Sequence, residues 1–191
     1  YVIGAISSLG KTTFALQIAD QMAQAGRDVM FFTLEMGAEE LVSKSLARHT
    51  KLIAKNPFYP KTSRDLTTYE KYKTYGHEEQ ELILKAVEAY GQYAGRIYFY
   101  EGMDQTGTKQ MREAVEKHVL ITGKAPVVIV DYLQVIAPRT PNASDKQNAD
   151  RAVVELKRIS RDFKTPVLTL SSFSRAFYEK KASMEAFKES G

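Results

Sequence analysis

The sequence contains no cysteine among its 191 residues. Disulfide bonds and cysteine-based metal sites are therefore excluded. No apolar run approaches the ~20 residues that cross a bilayer, and the N-terminus lacks the charged-then-apolar pattern of a secretory signal. We therefore expect a cytoplasmic protein without membrane contact.

Histidine is also scarce, with His49, His77 and His118 the only examples. Their spacing fits no common metal site, so we interpret them as surface or packing residues. The net charge of +4 is compatible with nucleic-acid binding, but it favours an ordinary solvated surface. The balance of 43% hydrophobic and 26% charged residues is typical of a soluble globular domain.

Short β-rich runs alternate with helical patterns along the chain. Continuous apolar runs predict buried strands at residues 29–34, 127–130 and 167–170. Residues 97–100 indicate a fourth strand, and residues 1–3 the end of a fifth. Apolar residues at helical spacing predict helices at 12–25, 38–48, 78–93 and 109–121, and a further helix capped by Ser144 and Gln147. In the first helix we expect one apolar face made of Phe14, Ala15, Ile18, Ala19 and Met22. The alternation predicts an α/β fold with a mainly parallel sheet and helices on both faces.

Residues 54–77 interrupt this alternation with prolines, several lysines and four tyrosines. Lysine mixed with tyrosine could form a nucleic-acid surface. We favour a solvated connection with a short helix, whose tyrosines pack on their neighbours.

The clearest motif starts at Ala5, where Ala-Ile-Ser-Ser-Leu-Gly-Lys-Thr fits the Walker A pattern except for alanine in place of its first glycine. A strand feeds this loop and the loop feeds a helix, whose N-terminal N–H groups and dipole favour phosphate. A chance Gly-Lys-Thr is the alternative, and the flanking strand and helix argue against it. Gly10 permits close approach, Lys11 reaches the β- and γ-phosphates, and the Thr12 hydroxyl ligates Mg²⁺. We therefore predict an ATP site that includes Ser8, Leu9, Gly10, Lys11, Thr12 and Thr13.

Two acidic residues complete the predicted site. Asp131 follows the apolar run 127–130 in a Walker B pattern, which suits it to hold the Mg²⁺ that Thr12 also ligates. Glu35 follows the strand at 29–34, so in a parallel sheet it emerges at the same edge as Asp131. It could deprotonate the attacking water or place negative charge at the start of the next helix, and the residues alone leave both roles open.

With these residues assembled, the chain resembles the C-terminal motor domain of DnaB-type replicative helicases, which has a RecA-like P-loop core. The resembling blocks are Thr33-Leu34-Glu35-Met36, VVIVDYLQVI at 127–136, LKRISRDFKTPVLTLSSFSR at 156–175 and Phe187-Lys188-Glu189-Ser190-Gly191. Asp-Tyr-Leu-Gln after a Walker B strand is fairly specific to the family, whereas residues 51–123 match only in outline. Alanine at the first Walker A position is usual in this family. Where the sequence diverges from chromosomal members, it is more similar to the helicases of phages and mobile elements.

The resemblance implies ATP-driven translocation on single-stranded DNA by a hexameric homo-oligomer, with a primase and a helicase loader as further partners. It implies that Glu35 and Lys11 are catalytic and that Lys44 lies near the nucleotide. It also implies that Lys188, Glu189 and Gly191 contact single-stranded DNA. The segment 175–191 that contains them also carries Arg175, Lys180 and Lys181 with Phe177 and Tyr178 interleaved, which suits single-strand binding. We expect residues 1–191 to be one RecA-like ATPase domain, cut at both ends from a longer protein.

Two departures from the family leave alternatives open. Ser172 stands where the family has a glutamine that senses the γ-phosphate, and the family's basic finger would lie beyond Gly191. One alternative is a RecA-type recombinase or clock-type ATPase on the same core. The other is a non-hydrolysing nucleotide-binding scaffold of a replication complex, which Ser172 supports and Glu35 opposes.

Overall fold

Residues 1–102, 106–136 and 144–173 are described by a computed structural model, and they form a five-stranded sheet. The strands are β1 (Val2–Ala5), β2 (Val29–Thr33), β3 (Ile97–Glu101), β4 (Val127–Asp131) and β5 (Val167–Ser172). They lie in the order β1-β5-β4-β2-β3, and every neighbouring pair is parallel. All five carboxyl ends therefore meet at one edge of the sheet, and the predicted parallel α/β fold is confirmed.

Helices connect successive strands. The described residues form α1 (Lys11–Gln24), α2 (Ala38–Ile53), α3 (Ser63–Thr67), α4 (Tyr69–Tyr72), α5 (His77–Ala94), α6 (Thr108–Thr122) and α7 (Asp145–Asp162), with a 3₁₀ turn at Leu133–Val135. Ser144 caps α7 as predicted, accepting from the Gln147 N–H at 3.3 Å in a capping box. Within the described ranges, no helix has the length and apolar character needed to cross a membrane.

The core lies on both faces of the sheet because successive residues of the central strands point to opposite sides. In β2, Met30 and Phe32 pack with α6 and α7, whereas Val29 and Phe31 pack with α1 and α2. All four side chains are at most 1% exposed. This double coverage explains why the strands read as continuous apolar runs.

Helix α1 buries Ala15 and Ala19 as predicted, but its buried face is rotated from the predicted one. Phe14 is 54% exposed and Met22 is 38% exposed, so their assignment to the buried face was wrong. The buried residues of α1 are Ala15, Leu16, Ala19, Asp20 and Ala23. The alanines let the helix lie close to the sheet, and Asp20 can point inward because it is paired there.

Asp20 is fully buried and joins α1 to α2. Its carboxylate accepts from Ser45 Oγ at 2.9 Å and from Arg48 Nη2 at 2.8 Å. Beside this pair, His49 Nε2 lies 2.7 Å from the Tyr93 hydroxyl of α5, and burial lowers the pKa of His49. His49 is therefore a packing residue, as predicted, within a polar cluster that joins three helices.

Residues 54–77 form α3, α4 and the turns around them. Lys61 is paired with Glu79, and its ammonium lies 4.0 Å from the centroid of the Tyr75 ring. Lys71 is paired with Asp65. Because neighbouring acids neutralise these lysines, the structure supports the interpretation as a solvated connection.

Asp20→Asn should lower the free energy of unfolding by about 3 kcal/mol, because it leaves the partly buried Arg48 without its counter-charge. Asp162→Asn is the matched control, since its carboxylate lies 2.8 Å from Arg112 but is 37% exposed. We expect that control to lose far less, because solvent screens an exposed ion pair. Urea unfolding followed by circular dichroism measures both, and equal losses would contradict the assignment of Asp20 to a buried structural pair.

Candidate nucleotide-binding site

A cavity of about 410 Å³ opens at the carboxyl edge of the sheet. Its walls come from the loop between β1 and α1, from the segment after β2, from α2 and from the ends of β4 and β5. The residues that line it are Ser7, Ser8, Gly10, Lys11, Thr12, Thr13, Glu35, Met36, Glu40, Lys44, Asp131, Tyr132 and Ser172. Predicted site residues from distant parts of the sequence thus share one cavity.

The loop before α1 is tightly turned. Gly10 has φ 87° and Ser8 has φ 63°, both in the left-handed region that glycine adopts without strain. Helix α1 begins at the next residue, Lys11, so its N-terminal N–H groups face the cavity. The Lys11 ammonium donates to the carbonyls of Ala5 and Ile6, each at 3.1 Å, and is thereby held against the loop.

Asp131 is only 2% exposed at the end of β4. Burial raises the pKa of its carboxyl, a hydrogen bond from Thr12 opposes that shift, and the charge of Glu35 adds to it. Atom Oδ2 has no hydrogen-bond partner among the described residues. A buried carboxylate oxygen without a donor, next to a threonine hydroxyl, fits a hard cation such as Mg²⁺.

No group of three histidine or acidic residues in the described ranges could hold a metal by itself. This agrees with the coordination habit of Mg²⁺, which takes one or two protein oxygens and completes its shell with phosphates and water. Thr12 and Asp131 therefore form a suitable pair only together with a bound nucleotide.

Glu35 lies in the cavity wall just beyond β2 and is exposed to solvent. The alternative role, negative charge at the start of α2, is filled by another residue. Glu101 at the end of β3 accepts from the Ala38 N–H at 2.6 Å, and Glu39 and Glu40 lie in the first turn. The geometry therefore favours the catalytic role of Glu35, which stays a prediction.

The remaining predicted residues have different outcomes. Lys44 lines the cavity and lies 3.6 Å from Glu40 in an ion pair, and Ser172 closes the wall at the end of β5. Leu9 does not line the cavity, and its residue is 68% exposed, so only its backbone is left for the predicted phosphate contact. The predicted DNA contacts Arg175, Lys188, Glu189 and Gly191 lie outside the described residues.

Sequence reasoning missed two residues next to the site. Tyr132 lines the cavity, and burial together with the charges of Glu35 and Asp131 raises the pKa of its hydroxyl. Gln134 forms hydrogen bonds with Ser171 and Ser172. Both belong to the Asp-Tyr-Leu-Gln run that follows the Walker B strand, and their position at the carboxyl end of that strand is the signal that could have found them.

The whole chain, residues 1–191, matches the family model described as the DnaB-like helicase C terminal domain. This chain belongs to that family. Among its relatives, the replicative DNA helicase DnaC of Bacillus subtilis is 28% identical over 195 residues, a match that covers 100% of this chain and 39% of that protein. The replicative DNA helicase DnaB of Geobacillus stearothermophilus is 27% identical over 198 residues, with 100% and 39% covered.

Two solved structures share the fold of this DnaB-like domain at 22% identity and a TM-score of 0.84. One is a DnaB-like replicative helicase studied with its primase interactions, of which the match covers 43%. The other is an ATPase domain, of which the match covers 63%. The predicted RecA-like core is therefore confirmed, and the chain spans well under half of the two helicases from Bacillus and Geobacillus.

Asp131→Asn should raise the free energy of unfolding at about pH 7, because burial disfavours the charged form of the carboxyl and asparagine has no charged form. A carboxyl whose folded pKa is raised destabilises the fold above that pKa, and the cost disappears as falling pH protonates the group. The advantage of asparagine should therefore shrink toward about pH 4. Thermal unfolding at both pH values, with the exposed Asp150→Asn as control, measures this, and an advantage that grows on acidification would refute it.

Proposed function

We propose that this chain is the ATP-hydrolysing motor of a replicative DNA helicase that translocates on single-stranded DNA as a hexameric ring. The observation that carries the proposal is the meeting of Lys11, Thr12, Glu35 and Asp131 in one cavity at the carboxyl edge of the sheet. Membership of the DnaB-like C-terminal family over the full chain supports it.

Each side chain has a defined part in this proposal. The backbone N–H groups at the start of α1 bind phosphate oxygens, and the Lys11 ammonium offsets negative charge on the β- and γ-phosphates. Glu35 is close enough to Asp131 to affect its pKa, yet it is exposed and has room for a water molecule. Glu35 orients that water and accepts its proton as the water attacks the γ-phosphorus.

The Thr12 hydroxyl and Asp131 Oδ2 would hold Mg²⁺, the fit for which rests on that buried oxygen without a donor. When bound, the ion neutralises charge that develops on the phosphate oxygens during transfer. Lys44, held by Glu40 in the cavity wall, supplies a further positive charge beside the nucleotide.

A non-hydrolysing scaffold is the second candidate, and Ser172 favours it. Its side chain is short, and its backbone is hydrogen-bonded to Gln134, so it reaches less far into the cavity than a glutamine would. Turnover of ATP by the full-length protein, with and without single-stranded DNA, separates the two candidates. Turnover that DNA stimulates supports the motor, whereas binding without turnover supports the scaffold.

The partners of the motor follow from the same proposal. A ring of identical subunits lets a neighbour supply the positive charge that completes the site, which is typically worth ~10³–10⁵ in rate. A primase, a helicase loader and a cytoplasmic location belong to the proposed role in replication. The primase is suggested by the solved relative that was studied with one.

Glu35→Gln keeps the shape of the side chain but removes its proton acceptor. We expect ATP binding to persist while hydrolysis falls by ~10²-fold or more, the usual scale for a lost general base. Lys11→Ala should instead weaken ATP binding itself, because it removes the loop cation. Binding is measured with a fluorescent ATP analogue, and hydrolysis by phosphate release.

Glu39→Gln is the matched control, since Glu39 lies in the first turn of α2 and does not line the cavity. It should hydrolyse ATP at the native rate. Native turnover in Glu35→Gln would remove Glu35 from the mechanism and return it to a surface role.

Lys188→Glu tests the predicted DNA-binding segment, which carries cations for phosphates and aromatic rings for bases. We expect weaker binding of single-stranded DNA by the full-length ring, with a salt dependence shallower by roughly 0.7 in log–log slope for each phosphate that the variant no longer neutralises. Lys124→Glu, an equal charge reversal before β4 at the opposite edge of the sheet, is the control. Equal affinity and slope in both variants would exclude Lys188 from the DNA interface.

A further inference from the structure

Strands β4 and β5 part before they reach the edge that holds the cavity. Their register ends at the pair Val130–Thr169, although β5 continues to Ser172. Strand β4 itself ends at Asp131, whose carbonyl faces β2 and accepts from the Leu34 N–H at 2.8 Å. A gap between the two strands therefore opens at the level of Ser172.

The side chain of Gln134 bridges this gap. Its Nε2 donates to the Ser172 carbonyl at 3.1 Å and to Ser171 Oγ at 2.9 Å. Its Oε1 accepts from the Ser172 N–H at 3.4 Å. One side-chain amide thus contacts both backbone polar groups of the same residue.

The direction of the backbone shows what this amide replaces. Thr169 N–H and Phe173 N–H donate toward β1, to the carbonyls of Tyr1 and Ala5 at 2.9 and 3.1 Å. Alternate residues of a strand present their polar groups to opposite neighbours, so Ser172 faces the β4 side. The Gln134 amide therefore stands where the backbone of β4 would stand if the ladder continued.

The backbone of Gln134 lies next to the hydrophobic core. It lies in the 3₁₀ turn that follows β4, next to Leu133, which is 8% exposed and packed in the core. Asp131 and Tyr132, just before that turn, line one part of the cavity, and Ser172 lines another. The amide thus links the two walls.

We propose that Gln134 is a positioning residue for ATP hydrolysis, which holds the Ser172 wall at a set distance from Asp131 and Tyr132. It touches no substrate in this scheme and acts through Ser172. The inference rests on the proposed ATPase function, but the contact with Ser172 can be tested without any turnover.

Gln134→Met, made in the full-length protein, keeps the volume of the side chain and removes its hydrogen bonds. We expect the Kd of a fluorescent ATP analogue to stay within about twofold, because the phosphate loop is untouched. Single-turnover hydrolysis should fall at least about tenfold, since misplacement by ~1 Å can cost ~10²-fold. Gln134→Glu keeps an acceptor for the Ser172 N–H but loses the donor to the Ser172 carbonyl. Its rate of hydrolysis should therefore lie between those of the native protein and Gln134→Met.

Gln80→Met is the matched control. Gln80 is partly buried and does not line the cavity, and its Nε2 donates to the Tyr75 carbonyl at 2.9 Å. It should hydrolyse ATP at the native rate. Hydrogen exchange of the peptide spanning residues 167–173 provides the second readout. Exchange should be faster in Gln134→Met than in the native protein and unchanged in Gln80→Met.

The inference would be overturned if Gln134→Met hydrolysed each bound nucleotide at the native rate. It would also be overturned if the fall in hydrolysis were fully explained by an equal fall in the number of nucleotide-binding sites. If the native protein itself does not hydrolyse ATP, the proposed function fails. The bridge from Gln134 to Ser172 would then still be tested separately, because hydrogen exchange in Gln134→Met at the native rate would overturn it. Should Gln134→Met not fold, the same measurements on Gln134→Glu decide the question.

Discussion

The register between parallel strands is the constraint on which the site depends. Thr33 pairs with Asp131 across β2 and β4, and Ala5 pairs with Ser172 across β1 and β5. A slip of one residue would turn a strand over and exchange the side chains that pack on its two faces. The tightly packed alternation of residues such as Phe31 and Phe32, one on each face, prevents that slip and so holds the acidic and phosphate-binding segments at one edge.

The same edge contains a buried carboxyl group that is unfavourable for folding. Asp131 combines nearly complete burial with an oxygen that no described donor satisfies, so the fold carries an unfavourable interaction where the chemistry needs it. Well-packed strands on both sides offset that cost. Natural proteins tend to break packing rules at their functional sites and to compensate elsewhere, and this domain follows that tendency.

The sequence was most informative where a single physical rule decides. Apolar runs predicted β2, β4 and β5 to within a few residues because both faces of these strands are covered, and the parallel arrangement then brought Glu35 and Asp131 together. The sequence was least informative where contacts between residues that are distant along the chain decide the structure. The buried face of α1 depends on Asp20 meeting Arg48, and the bridge from Gln134 depends on two strands diverging, neither of which leaves a periodic pattern. The role of Glu101 could have been suspected, since it ends an apolar strand as Asp131 does.

The polar cluster around Asp20 limits how this domain can exchange parts with its relatives. The carboxylate belongs to the helix that starts at the phosphate loop, whereas its partners Ser45 and Arg48 belong to the next helix. A chimera joined between α1 and α2 to a relative without the matching partner would leave an uncompensated charge in the interior. The phosphate loop, α1 and α2 should therefore be exchanged together, and the contact between His49 and Tyr93 extends that unit to α5.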